Sequence, residues 1–408
     1  MSEAAIRDFI AAHASEAEAF LAALVRCPSD NPPGDCAAHA ELAAGLLEDL
    51  GFAVERHKVP AELVRAHGMT SATNLVVRHV FGPGPVVALN AHGDVVPPGE
   101  GWTMDPYGAA VKDGWMYGRG VAVSKSDFAT YAFALKALVE SGIPLAGTVE
   151  LHLTYDEESG GEIGPAWLLA RRLSKPDYAI GAGFSYAVVD AHNGCLHLEV
   201  TVRGRSAHAA KPETGADALE AATAVLAALF AMRDRLAAEV SAVPGIGSRK
   251  LTVVLIEGGI NTNVVPDRVT LRLDRRIVPD EDAGAAEAQL QGVIAQAVAG
   301  FAGIAVEVRR ILLAAPLTPL PGADRLAALL CGHATRAFGE VVAATGSPLY
   351  TDARHYEAAG IPVVLYGAGP RNIELANAHR ADERIFLADL TLATEVVALT
   401  LRDLLAPG

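Results

Sequence analysis

The stretch CLHLEVTVRGRS, residues 195–206, decides the fold. Between Leu196 and Val202 apolar and polar side chains alternate, the period-two pattern of a strand with one covered and one open face. The chain beyond it repeats and completes the pattern. A long Ala-rich helix is expected over 215–236, then alternating strands at KLTVVLIEGG (250–259) and RVTLRLDRRI (268–277), a helix over 280–299 and a strand over 304–311. A β-α-β-β-α-β run of this kind makes a compact unit with its own sheet. Residues 195–312 are therefore expected to form an inserted domain.

Outside that run the pattern is different. PVVALNAH (85–92) and TVELHLTYDEE (148–158) are short, β-branched and apolar, and both end in polar clusters. They read as buried strands whose carboxyl ends carry chemistry. Helical periodicity fills 126–140 between them; earlier helices are expected over 3–25 and 37–51, the second stopping at Gly51. After the insertion, PLTPLPG (316–322) marks the re-entry point, PVVLYG (362–367) a further strand and 387–405 a last helix. Residues 1–194 and 313–408 thus predict a discontinuous α/β domain, with ligands beyond the carboxyl ends of its strands.

The bulk properties narrow the function. A chain of 408 residues suits two domains, and a net charge of −15 argues against a nucleic-acid or anionic-membrane surface, since both need basic patches. No apolar run reaches the roughly 20 residues of a membrane span. Cys27, Cys36, Cys195 and Cys331 show no paired spacing and read as free thiols of a reducing compartment. The N-terminal stretch is acidic and amphipathic, unlike a signal peptide. The expected location is the cytoplasm.

Four polar clusters stand at predicted strand ends or turns: HGD (92–94), DEE (156–158), DAR (352–354) and AHRADE (378–383). In HGD, an imidazole with a carboxylate two residues on suits a metal ligand held through its second nitrogen. Adjacent carboxylates such as those of DEE repel, so they need a cation or a proton to coexist. One could bind a metal while the other takes a proton from water. Taken alone, HGD reads as a structural turn and AHRADE as surface, while DEE is equally at home in a solvated loop.

Together the segments resemble the M20 metallopeptidase family. The carriers are NAHGDVVPPGEGWTMDPYGAAVKDGWMYGRG (90–120), YDEESGG (155–161), HNGCLHLEVTVRGRSAHAAKPETGADAL (192–219), GGINTNVVPDRVTLRLDRR (258–276), YTDARHYEAAGIPVVLYGAGP (350–370) and ANAHRADE (376–383). The resemblance implies a catalytic domain with a mixed sheet flanked by helices, an inserted ferredoxin-like α+β lid or dimerisation domain, and a homodimer. It implies His92 as a metal ligand steadied by Asp94, Glu157 as general base, and Glu158 and His379 as ligands of a second metal. It further implies that His208 polarises the scissile carbonyl, from the partner subunit in dimeric members, and that Asn263 and Arg276 hold the substrate's carboxylate or oxyanion.

Two positions break the family's pattern. After Gly118-Arg119-Gly120, Val123 stands where the family carries an aspartate bridging two metals, with Lys125 in register. In PDYAIGAGFSY (176–186), Gly183 stands at an acidic ligand position. Neither side chain can coordinate a cation. Asp127 is expected to be solvated or capping, being about 6 Å further along a helix than the lost bridge. Asp190 and His192 are expected to be structural.

Three readings are open. In the first, His92, Glu158 and His379 form a two-histidine, one-carboxylate set for a single zinc (or manganese or cobalt) ion. Glu157 then hydrolyses an N-acyl or peptide amide in a small anionic substrate. In the second no metal is bound, and Glu157 and Glu158 share a proton beside His92 and His379 for hydrolysis, elimination or isomerisation. The third is a non-catalytic binding protein.

Overall fold

The computed structural model describes residues 3–407. The strands preceding the alternating stretch are β1 Val54–Lys58, β2 Thr73–Gly82, β3 Val86–His92, β4 Ala110–Lys112, β5 Trp115–Tyr117, β6 Gly147–Thr154, β7 Tyr178–Gly181 and β8 Val188–His192. From that stretch onward come β9 Gly194–Arg203, β10 Lys250–Gly258, β11 Arg268–Ile277, β12 Ala305–Ala314, β13 Ala344–Ser347, β14 Val363–Leu365 and β15 Arg384–Phe386.

The large sheet has the order β1-β2-β6-β3-β7-β14-β8-β13. It is mixed: β6, β3, β7 and β14 run parallel, while β1 with β2, β2 with β6 and β14 with β8 are antiparallel. The register sets the position of the chemistry. His92 pairs with Thr154 and Asn90 with Gly181, so the chain leaves β3, β6 and β7 at one edge. Along β3 the residues from Val87 to His92 are all buried, as a central parallel strand requires. The helix Lys125–Ser141 packs against β3, β6 and the last helix, Leu387–Leu404. It is buried on nearly every face, and its Gly142 ends it in the left-handed conformation.

A three-stranded sheet, β15-β5-β4, ties the C-terminal AHRADE segment to the Gly-rich turn after β5, where the Gly118 N–H donates to the Glu383 carbonyl at 2.9 Å.

The chain divides into two compact units, one of 191–318 with 346–350, the other of the remaining residues. The smaller holds the antiparallel sheet β10-β11-β9-β12. With chain order β-α-β-β-α-β this is the ferredoxin-like arrangement. Leu196, Leu198, Val200 and Val202 point to one face and pack with Val225, Leu229 and Leu290 of the helices Ala218–Leu236 and Ala283–Val298. The first helix begins at Ala218 and not at 215, because Asp217 caps it by accepting the Leu219 and Glu220 N–H groups. The unit extends beyond the 195–312 range read from the pattern. His192 pairs with Leu317, and the Gly346 N–H reaches the Pro244 carbonyl at 2.7 Å. Residues 1, 2 and 408 of the expected domain ranges lie outside the described residues.

The helix expected over 3–25 is two, Glu3–Ala12 and Ala14–Arg26. At the break the His13 ring stacks on Phe9 and its Nδ1 hydrogen-bonds the Phe9 carbonyl at 2.7 Å, competing with the main chain for that acceptor.

Candidate active site

His92 is the last residue of β3. Its main chain is locked to Ser124, whose hydroxyl accepts the His92 N–H and donates to the His92 carbonyl, both at 3.1 Å. The turn beyond it passes Tyr155 so closely that a Cβ on Gly93 would lie 2.4 Å from the ring. Nδ1 of His92 sits 2.9 Å from the Asp94 carbonyl oxygen and 3.4 Å from Asp94 Oδ1, while Nε2 faces Glu157 Oε2 at 3.9 Å. A carbonyl only accepts, so Nδ1 carries the proton there and Nε2 is directed at the carboxylates. Burial opposes charging this ring, but the hydrogen bond with Asp94 and the Glu157 and Glu158 carboxylates outweigh it and raise the imidazole well above 6.5.

The Asp94 carboxylate, fully buried, serves the next loop more than the imidazole. It accepts the main-chain N–H groups of Glu157 at 3.3 Å and Glu158 at 3.2 Å, together with Asn31 Nδ2 at 2.9 Å. Its Oδ1 also lies 3.4 Å from His92 Nδ1, farther than the Asp94 carbonyl at 2.9 Å. Glu157 and Glu158 start a short helical turn, Glu157–Ser159, just beyond β6. Burial raises the Glu157 carboxyl well above 4.5; His92 pulls it down, and Glu158, Asp352 and Asp94 push it further up.

Asp156 and Asp352, to which the motif reading gave no separate role, are buried beside this loop. Asp156 accepts the Ile163 N–H at 2.6 Å and is raised well above 3.8 by burial and by Asp352. Asp352 lies 3.5 Å from the Thr154 hydroxyl and is pushed up to about 7, chiefly by burial.

His379 adopts a left-handed backbone, φ 60°, and brings Nε2 to 3.4 Å from Glu158 Oε1, with its side chain 52% exposed. Its hydrogen bond with Glu158 raises its pKa above 6.5. Among the described residues, the donors that could hold a cation, all mutually within 4.8 Å, are His92, Glu157 and Glu158. His379 adjoins that set through Glu158 without belonging to it. This is a donor set for one cation, with nitrogen and oxygen ligands that suit a borderline ion such as zinc.

Neither Val123 nor Gly183 offers a donor atom for a second cation. Val123 is half-buried, in an ordered turn built on buried Glu383, which accepts the N–H groups of Gly120, Ala122 and Val123 and pairs with Arg119 at 2.6 Å. Gly183 has no room for a side chain, since a Cβ there would lie 2.7 Å from the Tyr366 nitrogen and 2.8 Å from the Leu365 carbonyl carbon. Asp127 is neither solvated nor capping, contrary to expectation: it is 1% exposed and accepts the Ala368 N–H at 2.7 Å. His192 is buried with Nδ1 2.9 Å from the Asn193 carbonyl.

His208, Asn263 and Arg276 belong to the smaller unit. His208 and Asn263 are exposed on facing segments, where His208 pairs with Val264 and the Ala209 N–H donates to the Asn263 carbonyl at 2.9 Å. Arg276 ion-pairs with Asp274 at 3.1 Å.

Comparison with known proteins adds independent findings. The family model described as Peptidase family M20/M25/M40 matches residues 88–403. Succinyl-diaminopimelate desuccinylase of Gluconacetobacter diazotrophicus is 30% identical over 396 residues, covering 94% of this chain and 95% of its own. Aminoacylase-1 of Mus musculus is 29% identical over 336 residues, covering 77% and 79%. Among solved structures, the M20 family metallo-carboxypeptidase Sso-CP2 from Sulfolobus solfataricus superposes with a TM-score of 0.78 at 18% identity, covering 95% of this chain and 98% of that one.

Proposed function

Because the chain belongs to the M20 family of amide-bond hydrolases, we propose that it cleaves an N-acyl amino acid or a small peptide-like carboxylate. The observation that carries this reading is the half-buried Glu157 carboxyl facing Nε2 of His92 at 3.9 Å, on a loop fastened by Asp94. A carboxyl raised toward neutrality can take a proton from an attacking water and return it to the departing nitrogen. In the balanced step, water adds to the amide carbon and the C–N bond breaks. The proton leaves water for Glu157 and passes to the amine.

His92 and Glu158, with His379 beside them, would hold a single cation. Such an ion supplies Lewis-acid polarisation of the carbonyl and a lowered pKa for water. Asp94 keeps Glu157 and Glu158 from turning away from one another. His208 is assigned to the developing oxyanion, and Asn263 and Arg276 to the substrate's carboxylate, for which an Arg fork is well shaped.

A homodimer through the smaller unit also belongs to this reading. It is supported by edge strand β10, which carries exposed Val254, Leu255 and Ile256, with Ile260 exposed just beyond it. A cytoplasmic location is supported by four cysteines that are all free thiols.

A second reading drops the cation. It is favoured by one observation, the direct approach of His92 Nε2 to Glu157 Oε2 at 3.9 Å. That pair is an acid and a base already in place for elimination or isomerisation of a small acid. The test is E157Q assayed on a panel of N-acyl amino acids. Loss of about 10²–10⁴-fold in kcat with KM within a few-fold is expected. Undiminished hydrolysis would refute the assignment of Glu157.

A further inference from the structure

The larger unit contains a clamp that the reaction itself does not call for. Beyond β7 the chain continues beside the segment that leaves β14. The Tyr366 N–H donates to the Gly181 carbonyl at 2.9 Å, and the Gly369 N–H to the Gly183 carbonyl at 2.9 Å. The Ser185 hydroxyl hydrogen-bonds the Gly367 and Gly369 carbonyls at 3.1 and 2.8 Å. Both segments are rich in glycine because there is no space between them. A Cβ on Gly369 would lie 2.5 Å from the Gly183 oxygen, and one on Gly183 would strike the Leu365–Tyr366 backbone.

The helix Lys125–Ser141 fastens this seam from a third direction. Asp127 inserts its carboxyl against the bare backbone of Gly367, where a Cβ would come within 2.0 Å of Oδ1. There it accepts the Ala368 N–H at 2.7 Å and is also hydrogen-bonded to the main chain of Gly183. One helical turn on, Tyr131 donates to the Tyr366 carbonyl at 2.8 Å. Positions i and i+4 share a helix face, so both ties act on the same seam. Asp127 is not a replacement ligand: among the described residues, the donors within 4.8 Å of one another do not include it.

We infer that Asp127 is a positioning residue that clamps the strand ends after β7 and β14 together, and that this closure holds the protein to a single cation. The backbone of Gly183 is drawn against Tyr366, so the seam occupies the place where a ligand-bearing side chain would start. Restoring a carboxylate at position 123 alone therefore leaves the second position unusable. The clamp stands independently of the proposed hydrolysis, which enters only in identifying the cation position.

The test uses the full chain and two readouts other than activity. Amide hydrogen exchange is compared for wild type, D127A and the gentler D127N, which keeps an acceptor for Ala368. Exchange over 183–185 and 366–369 is expected to rise at least about tenfold in D127A and less in D127N, what the loss of hydrogen bonds to a buried carboxyl implies. Should D127A fail to fold, D127N alone carries the comparison. In parallel, cobalt(II) is titrated into wild type and V123D, with bound metal and the visible spectrum recorded. V123D is expected to take up no more cobalt than wild type, with the same spectrum. The inference is overturned if both Asp127 variants exchange like wild type in these segments, or if V123D binds one additional cobalt per chain. If wild type binds no cobalt, the one-cation reading falls, and the exchange measurement still decides the clamp.

Discussion

Asp94 accepts the main-chain N–H of Glu157 at 3.3 Å, so the residue proposed as general base is held in place by one that follows a different strand. The same carboxylate binds the Glu158 N–H and Asn31 Nδ2. D94A would leave three donors facing a dry hole. A loss of about 2–4 kcal/mol in unfolding free energy is expected, since buried donors left unpaired forfeit their solvation. Urea denaturation checks it, and a loss below about 0.5 kcal/mol would contradict the role.

The buried carboxyls make stability depend on pH. Asp127 and Asp352 are both pushed up from 3.8 to about 7, chiefly by burial. Below about pH 4 both are protonated in the folded and the unfolded chain, and they have no effect. Between about 4 and 7 the folded protein holds protons that the unfolded chain has released, so stability falls as pH rises. His92, raised above 6.5, acts in the same direction above that pH, because the unfolded chain loses its proton first. These three groups lower the stability of metal-free protein between pH 5 and pH 7.5, each by at most about 1.4 kcal/mol per pH unit, while His39 and His355, lowered by burial, act oppositely below about pH 6.5. D127N should flatten the slope. Thermal melts of wild type and D127N in chelator over this range provide the check; identical slopes would contradict it.

Gly183 meets backbone, which cannot rotate away, and not flexible side chains. G183A is expected to cost about 1–3 kcal/mol or more through overpacking. V123A, at a half-buried position, should cost less than G183A. Equal melting temperatures for G183A and wild type would show that the seam opens freely.

The smaller unit provides a kinetic split. H208A is expected to lower kcat about 10²–10³-fold, as loss of an oxyanion donor does. R276A should mainly raise KM, by about 10–100-fold, through a lost charge-assisted bond to the substrate's carboxylate. Steady-state kinetics with one N-acyl amino acid separates the two; unchanged constants in both variants would remove these residues from the reaction.

Much of the fold, and the polar clusters of the candidate site, are legible in the residues alone. The alternation of Leu196, Leu198, Val200 and Val202 reveals a half-covered strand, because a strand buried on one face can show nothing else. His92, Glu157, Glu158 and His379 stand out by residue type and by their places after strands or in turns. The break at His13 is not visible there, since histidine is no helix breaker and its contact with Phe9 is a local competition. Asp127 reads as solvated because an acid in the first turn of a helix usually is. Its burial depends on Gly183 and Gly367, which are far away in the chain and adjacent only in the fold. The role of Glu383, visible only as the end of AHRADE, is hidden for the same reason: its partners, the turn 119–123, lie more than 250 residues earlier.

Metal content measured alongside hydrolysis decides whether this chain works with one cation. Protein purified without added metal is stripped with chelator, reloaded with zinc, manganese or cobalt, and assayed on N-acyl amino acids at each stage. Hydrolysis is expected to disappear on stripping and to return in full with one equivalent of metal per chain. Two equivalents bound per chain, or hydrolysis that continues unchanged in metal-free protein, would contradict that expectation.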